Sequence, residues 1–452
     1  MAIERLLIIC FIVFFVLSGC SAKTDVPEEK KTIKLMFYNE ESYRREFGNL
    51  LDYKFPNLHV EIVSYDQLVQ TGNVTWENFN EWIDNQKPDI VTILPIPGLF
   101  EFLIGNGRLL ALDHFIAKDK FDLDQLSPQV MKIVREKGQG NLYGIPPYFS
   151  SQALYYNKDL FDYFHIEVPR NGMTFEEVLE LAGRFADNQI ENTVVGFYKP
   201  GVSPARLLFF VGDMEGLQWL DPNERKITLN TQAWSHLFSY LIDAYKSGAV
   251  VDASLTGNGF NNGRSPTDYS QIIEQSRQRN LFVAGKAAMT IDSPLLINDI
   301  NRVNPDMKWD LVTLPASKNS PAPSHLIQFQ TIYAIHSESS NAELSWKLIQ
   351  FMNSDEVAKM KSGTSRLDDK LPLRMKYLPD MNGKKLEAFY MLNTEDRPVS
   401  TTVIPAQFYQ TFYSIVDEEI ANVLNERTPI SEALRIIQEK GSLELLNALS
   451  NP

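Results

Sequence analysis

A chain of 452 residues, 44% of them hydrophobic, has enough apolar surface for two large domains or three smaller ones. Its 57 Asp and Glu outweigh its 43 Lys and Arg, and the formal net charge of −14 argues against a nucleic-acid surface, which needs a basic face. The same charge argues against docking onto anionic lipid heads, and most of the 27 Phe and 18 Tyr are expected in cores.

The first apolar run, Leu6 to Leu17, is twelve residues long, short of the about 20 that a membrane-spanning helix needs. It follows Arg5 and ends in small residues, the pattern of a secretory signal. The stretch LSGC at residues 17–20 resembles a bacterial lipobox, which implies cleavage before Cys20 and a diacylglyceryl group on its sulfur. Residues 1–19 are then a lipoprotein signal peptide and 20–31 a lipidated, solvated tether. Cys10 leaves with the signal, so the mature chain keeps Cys20 alone, without an intramolecular disulfide or a thiolate metal set. The ordered protein begins near Thr32, outside the membrane.

From there the chain alternates strand and helix patterns. TIKLMFYNEES from Thr32 is an apolar strand run ending in polar residues, a helical stretch follows to Tyr53, and LHVEIVSYD and PDIVTIL are further strands. This alternation favours an α/β fold with a largely parallel sheet. Ligands in such sheets gather at the carboxyl ends of strands, which points to Tyr38, Asn39 and Glu40 after the first strand and Tyr65 after the second. Each also serves as an ordinary turn former. Further on, Thr174 and Glu177 form a capping box that opens a helix with Val178, Leu181, Ala182 and Phe185 on one face. Two helical pieces separated by Asn353-Ser354 follow from Ser340. The chain is then helical from Ala406 to about Leu424 and again after NERTP. The loop TGNGFNNGRSPTD from Thr256 reads as a surface insertion.

Catalytic signatures are missing. The six histidines are scattered, with no His-x-x-x-His pair for zinc, and there is no Gly-x-Ser-x-Gly elbow. Neither GNGFNNG nor Gly285-Lys286 has the glycine spacing of a nucleotide loop, so no cofactor and no metal are expected. A glycosidase needs only two carboxylates at a set separation, which sequence does not exclude.

Four stretches resemble extracellular solute-binding proteins of ATP-binding-cassette importers, the superfamily of the maltodextrin-binding proteins. They are NLYGIPPYFSSQALYYNKDLF from Asn141, MTFEEVLELAGRFA from Met173, GKAAMTIDSPLLIND from Gly285 and AELSWKLIQFMNSDEVAKM from Ala342, in the family's order. The resemblance implies two lobes, each with a largely parallel sheet flanked by helices, joined by a multi-crossing hinge with a ligand cleft between them. Lobe one would hold 32–150 plus 316–363 and lobe two 151–315 plus 364–452, with crossings near Ser151, Pro315 and Thr364. The first crossing would place Tyr148, Phe149, Ser150 and Gln152 on the ligand. The adjacent rings suit the apolar faces of sugars, one of the two being expected to enter a core. Asp292 is a candidate hydroxyl or amine acceptor, and Tyr198, Phe408 and Tyr409 are weaker candidates. Where sugar binders of the family commonly have Gly-Pro-Trp, this chain has Ser293-Pro294-Leu295, which removes the expected stacking tryptophan. The implied function is capture of a carbohydrate or oligosaccharide and delivery to the permease subunits, by a monomer lipid-anchored on the cell membrane of a bacterium without a periplasm. Two alternatives stand beside it: a ligand sensor presenting its closed form to a signalling receptor, and an exported glycosidase or peptidase.

Overall fold

The computed structural model describes residues 30–72, 74–187, 194–221, 224, 226–252, 280–317, 322–323, 326–362, 370–391, 394–395 and 404–450. Cys20, the signal and tether around it, Thr364 and the loop from Thr256 lie outside the described residues. No helix among the described residues is long and apolar enough to cross a membrane.

Two sheets organise the chain. The first orders β2 (Leu58–Ser64), β1 (Lys31–Phe37), β3 (Ile90–Ile93), β10 (Ile332–Ile335) and β4 (Gly144–Ile145) side by side. The second orders β9 (Trp309–Thr313), β6 (Ala153–Asn157), β8 (Ala287–Asp292) and β7 (Val195–Phe197). Every residue of β3, β6, β9 and β10 is buried, as expected of strands covered on both faces.

Both sheets are mixed but largely parallel in direction, as expected: a single strand opposes the rest in each. β1 runs parallel to β2 and β3, but β10 is antiparallel to β3 and β4. In the second sheet β6 is antiparallel to both β8 and β9, and only β7 and β8 run parallel. Connectivity explains the directions. β6 and β10 are the strands by which the chain enters one sheet on arriving from the other, so they run against those that carry it outward.

Helices cover the sheets by apolar faces at helical spacing. On the first, α8 (Ala342–Met352) packs on β10, with the fully buried Trp346 ring between Phe115 and Phe121 at 6.0 and 5.4 Å. A short break at Asn353-Ser354 separates it from α9 (Asp355–Ser362). On the second, α4 (Phe175–Asp187) packs on β7 and buries Val178, Leu181, Ala182 and Phe185. The Thr174 capping box closes both ways: Glu177 N donates to Thr174 Oγ1 at 3.2 Å, and Thr174 N donates to Glu177 Oε2 at 2.8 Å. At Gly196 in β7 an added Cβ would sit 2.1 Å from Ala182 O, so only glycine admits this approach of helix and strand. Beyond α4, helices α5 (Pro204–Met214), α6 (Gln232–Lys246), α10 (Ala406–Leu424) and α11 (Ile430–Ser450) pack together. Their seam is a set of stacked rings: Phe412 lies on Trp219 at 5.0 Å, on Phe408 at 5.4 Å and on Phe209 at 5.6 Å.

Three connecting segments run between the sheets, and they are bonded to one another. β5 (Tyr148–Phe149) pairs antiparallel with β11 (Leu371–Pro372), while Ser150 and Gln328 exchange both backbone hydrogen bonds at 2.8 Å. Residues 371–377 still pack on the first sheet's side. Ser127 N donates to Leu373 O, and the buried Arg374 donates to Asn353 O and pairs with Asp355. Contacts with the second sheet begin at Lys384, whose ammonium donates to Trp309 O.

Candidate functional site

The register brings one edge of each sheet to the connecting segments. On the first sheet this edge holds the carboxyl ends of β1, β2, β3 and β4, since Phe37 aligns with Ser64 and Ile93 with Ile332. On the second it holds Ala153, Asp292 and Thr313, aligned across β6, β8 and β9. Between the two edges runs the segment 146–152.

On the first edge, Tyr38 is 39% exposed and meets the half-buried Tyr65 edge-on at 5.7 Å. Burial, then the neighbouring Tyr38, pushes the Tyr65 phenol up to about 12. Both turns are tied: Tyr65 N donates to Phe37 O, and Asp66 N and Ser64 Oγ donate to Tyr38 O. The sequence reading grouped Asn39 and Glu40 with these tyrosines, but local structure engages both. Asn39 Oδ1 accepts from Ser42 N at 2.9 Å as a helix N-cap. Glu40 pairs with Arg44 at 2.7 Å and lines a groove of about 440 Å³ along the outer strand β2.

The first crossing separates its two rings. Phe149 is 1% exposed and packs edge-on against Tyr390 at 4.9 Å, so it is the ring of the pair that enters a core. Adjacent residues of an extended strand face opposite ways, and Tyr148 accordingly points to the other side, half-buried. Its hydroxyl is buried and faces the Glu46 carboxylate, and burial, then Glu46, pushes its phenol far above the usual range. Lys370 Nζ sits 5.5 Å from the centre of the Tyr148 ring. Glu46 in turn pairs with Lys361 at 3.0 Å and Lys370 at 3.6 Å. Burial works to raise the Glu46 carboxyl, but the two ammonium groups outweigh it and hold the carboxyl below its ordinary value. Ser150 is 5% exposed and bound through its backbone to Gln328, leaving little of it for a ligand.

On the second edge, Gln152 and Asp292 are both half-buried. Asp292 Oδ1 accepts from Ser293 N at 2.8 Å, and Tyr155 Oη donates to Ser293 O at 2.9 Å, which fixes the turn into α7 (Leu295–Val303). Leu295, in the place of the missing tryptophan, is 45% exposed. Lys199, two residues beyond β7, joins these groups. Its Nζ donates to Gln152 Oε1 at 3.3 Å and to Ile291 O at 3.1 Å, and lies 4.4 Å from the Phe210 ring centre. Burial draws the amine down to about 8, partly offset by Asp292.

Three of the expected contacts do not reach this surface. Tyr198 is 4% exposed and Phe408 is 2% exposed, so both are core, Phe408 because its helix turns it onto Phe412. Tyr409 stays half-buried beside Trp219 in the aromatic seam of α10. The site therefore gathers Tyr38, Tyr65 and Tyr148 on one side and Gln152, Lys199, Asp292 and Leu295 on the other. Sequence reading missed Glu46, Lys361, Lys370 and Lys199. Glu46 and Lys361 lie 315 residues apart, and no local pattern joins them.

Such a surface offers ring faces flanked by hydrogen-bonding groups, which suits a polyhydroxylated ligand. No cluster of metal-ligating side chains occurs among the described residues. Two carboxyls are pushed up by burial elsewhere, each in a local bonding role: Asp417 accepts from Ala205 N at 2.7 Å, and Glu215 from Ser317 and the Phe175 backbone.

A family model described as bacterial extracellular solute-binding protein matches residues 67–380. A binding protein of Brucella abortus is 26% identical over 391 residues, 85% of this chain and 84% of its own length. The melibiose/raffinose/stachyose-binding protein of Bacillus subtilis is 24% identical over 311 residues, 68% of this chain and 66% of its own. An ABC substrate-binding protein of Listeria monocytogenes, solved in complex with cycloalternan, shares the fold with a TM-score of 0.55 at 18% identity, covering 93% of this chain and 99% of that one.

Proposed function

The chain belongs to the bacterial extracellular solute-binding protein family, and from that premise we propose that it captures a carbohydrate or oligosaccharide between two lobes and delivers it to the permease of an ATP-binding-cassette importer. The observation that carries this reading is the pair of sheet edges joined by the segment 146–152, with tyrosines on one and Gln152, Lys199 and Asp292 on the other. Relatives of this fold hold melibiose-type sugars and cycloalternan, and the ring faces here suit the same class of ligand. Binding rather than catalysis is the role, and the protein acts as a monomer held on the outer face of the cell membrane by an acylated Cys20. Residues 32–150 with 316–363 form lobe one and 151–315 with the remainder form lobe two, with Leu373 and Arg374 bonded back to the first-sheet side. Closure follows from differential affinity, because both edges touch the ligand only when the lobes approach.

A thermal-shift screen of mono- and oligosaccharides tests the ligand class. A cognate ligand at a hundredfold excess over its Kd stabilises the fold by about 2.7 kcal/mol. A rise in melting point with amines or peptides and none with sugars would refute the carbohydrate assignment. Cys20→Ala tests the anchor: the protein should leave the membrane fraction, and wild-type retention would refute acylation at Cys20.

A further inference from the structure

Lys199 is a half-buried cation at the rim of the second sheet without an ion-pair partner among the described residues. An ammonium has three N–H donors. Ile291 O and Gln152 Oε1 take two, and the third meets no acceptor among the described residues. Asp292 acts on it electrostatically and partly offsets the burial. Withdrawing an unpaired ammonium from water is costly, and here the amine remains mostly charged at neutral pH although burial draws it down to about 8. A second cation, Lys370, stands over Tyr148 at the other end of the same segment. At that end Glu46 lies against both Lys361 and Lys370. The whole chain carries −14 and repels anions at long range. Local cations at both ends of the crossing segment oppose that field where a ligand would lie.

Resting on the solute-binding reading above, we propose that the ligand is a saccharide bearing an anionic group, a carboxylate or a sulfate, and that Lys199 receives that group. The crossing segment sets its length. Tyr148 to Gln152 spans four residues at about 3.3 Å each, roughly 13 Å, which suits a short oligosaccharide with one ring on Tyr148 and its charged ring at Lys199.

Calorimetric titration of the detergent-solubilised full chain tests this with three probes: galacturonic acid oligomers of two to four units, neutral galactose oligomers of the same lengths, and sulfated galactose oligomers. The expected result is at least tenfold tighter binding of one acidic series than of the neutral one, and whichever series wins identifies the anion. Lys199→Met should cost that series at least tenfold while changing neutral binding less than twofold, and Lys199→Arg should restore most of the preference. Equal losses for acidic and neutral oligomers in Lys199→Met would make Lys199 a strut for Gln152 and overturn the inference. Neutral oligomers binding as well as or better than both acidic series would overturn it while leaving the carbohydrate function intact. Capture of amines or peptides with no saccharide bound would overturn both.

Discussion

Replacing Phe149 and Tyr148 in turn separates core from cleft in one experiment. The Phe149 ring is 1% exposed and seated 4.9 Å from Tyr390, so Phe149→Ala leaves a void that its neighbours fill only in part. Such truncations cost about 3–5 kcal/mol, a large share of the roughly 5–15 kcal/mol that holds a typical protein together. Tyr148 is half-buried, so Tyr148→Ala forfeits only part of the about 1.5–3 kcal/mol of a fully buried ring, with about 0.5–1 kcal/mol more from the Lys370 contact. Urea unfolding followed by tryptophan fluorescence should rank Phe149→Ala as the less stable variant. Calorimetry with a saccharide found in the screen should reverse the ranking. Tyr148→Ala should bind at least tenfold more weakly, and folded Phe149→Ala like the wild type. A Phe149→Ala loss below 1 kcal/mol, or a greater affinity loss in Phe149→Ala than in Tyr148→Ala, would refute the assignment of the two faces.

Three further outcomes follow from described contacts. Thr174→Ala opens the capping box and should lower stability by about 1 kcal/mol, with Thr174→Ser keeping most of it, as chemical denaturation will show. Gly196→Ala places a Cβ against Ala182 O and should cost about 1–3 kcal/mol through forced displacement of α4; an unchanged midpoint would contradict the close approach. The Glu46 carboxyl is held below its ordinary value of 4.5, so its contribution is present above that pH and fades as the pH falls through the lower folded value. Glu46→Gln should flatten the acid limb of the stability–pH curve below 4.5, and an unchanged limb would show that Lys361 and Lys370 do not stabilise the carboxylate.

Local chemistry was the most legible part of the sequence. The capping box at Thr174, the break at Asn353-Ser354 and the two terminal helices depend on residues within a few positions of each other, and the structure has them all. Strands were readable as apolar runs and their prevailing direction from the alternation with helices, but the opposed strands β6 and β10 were not, because a buried strand looks the same in both senses. Strand β10 lies between β3 and β4 although about 190 residues separate it from the nearer one. The same limit governs the site. The pair Tyr148-Phe149 marked a crossing, and alternation required one ring to turn inward, but only the packing of Tyr390 decides which. Lys199 carried no signal at all, since its neighbours Gln152 and Ile291 lie 47 and 92 residues away.

The placement of β10 has a consequence for how the chain is made. A polypeptide emerges from its N-terminus, and the first sheet lacks an inner strand until residues 332–335 arrive between β3 and β4. The second sheet can form earlier, yet the aromatic seam that backs it waits for Phe408 and Phe412, close to the last helix. Neither half can complete its core before these late residues are made. A truncation before Ile332 should therefore yield no folded half on the first-sheet side.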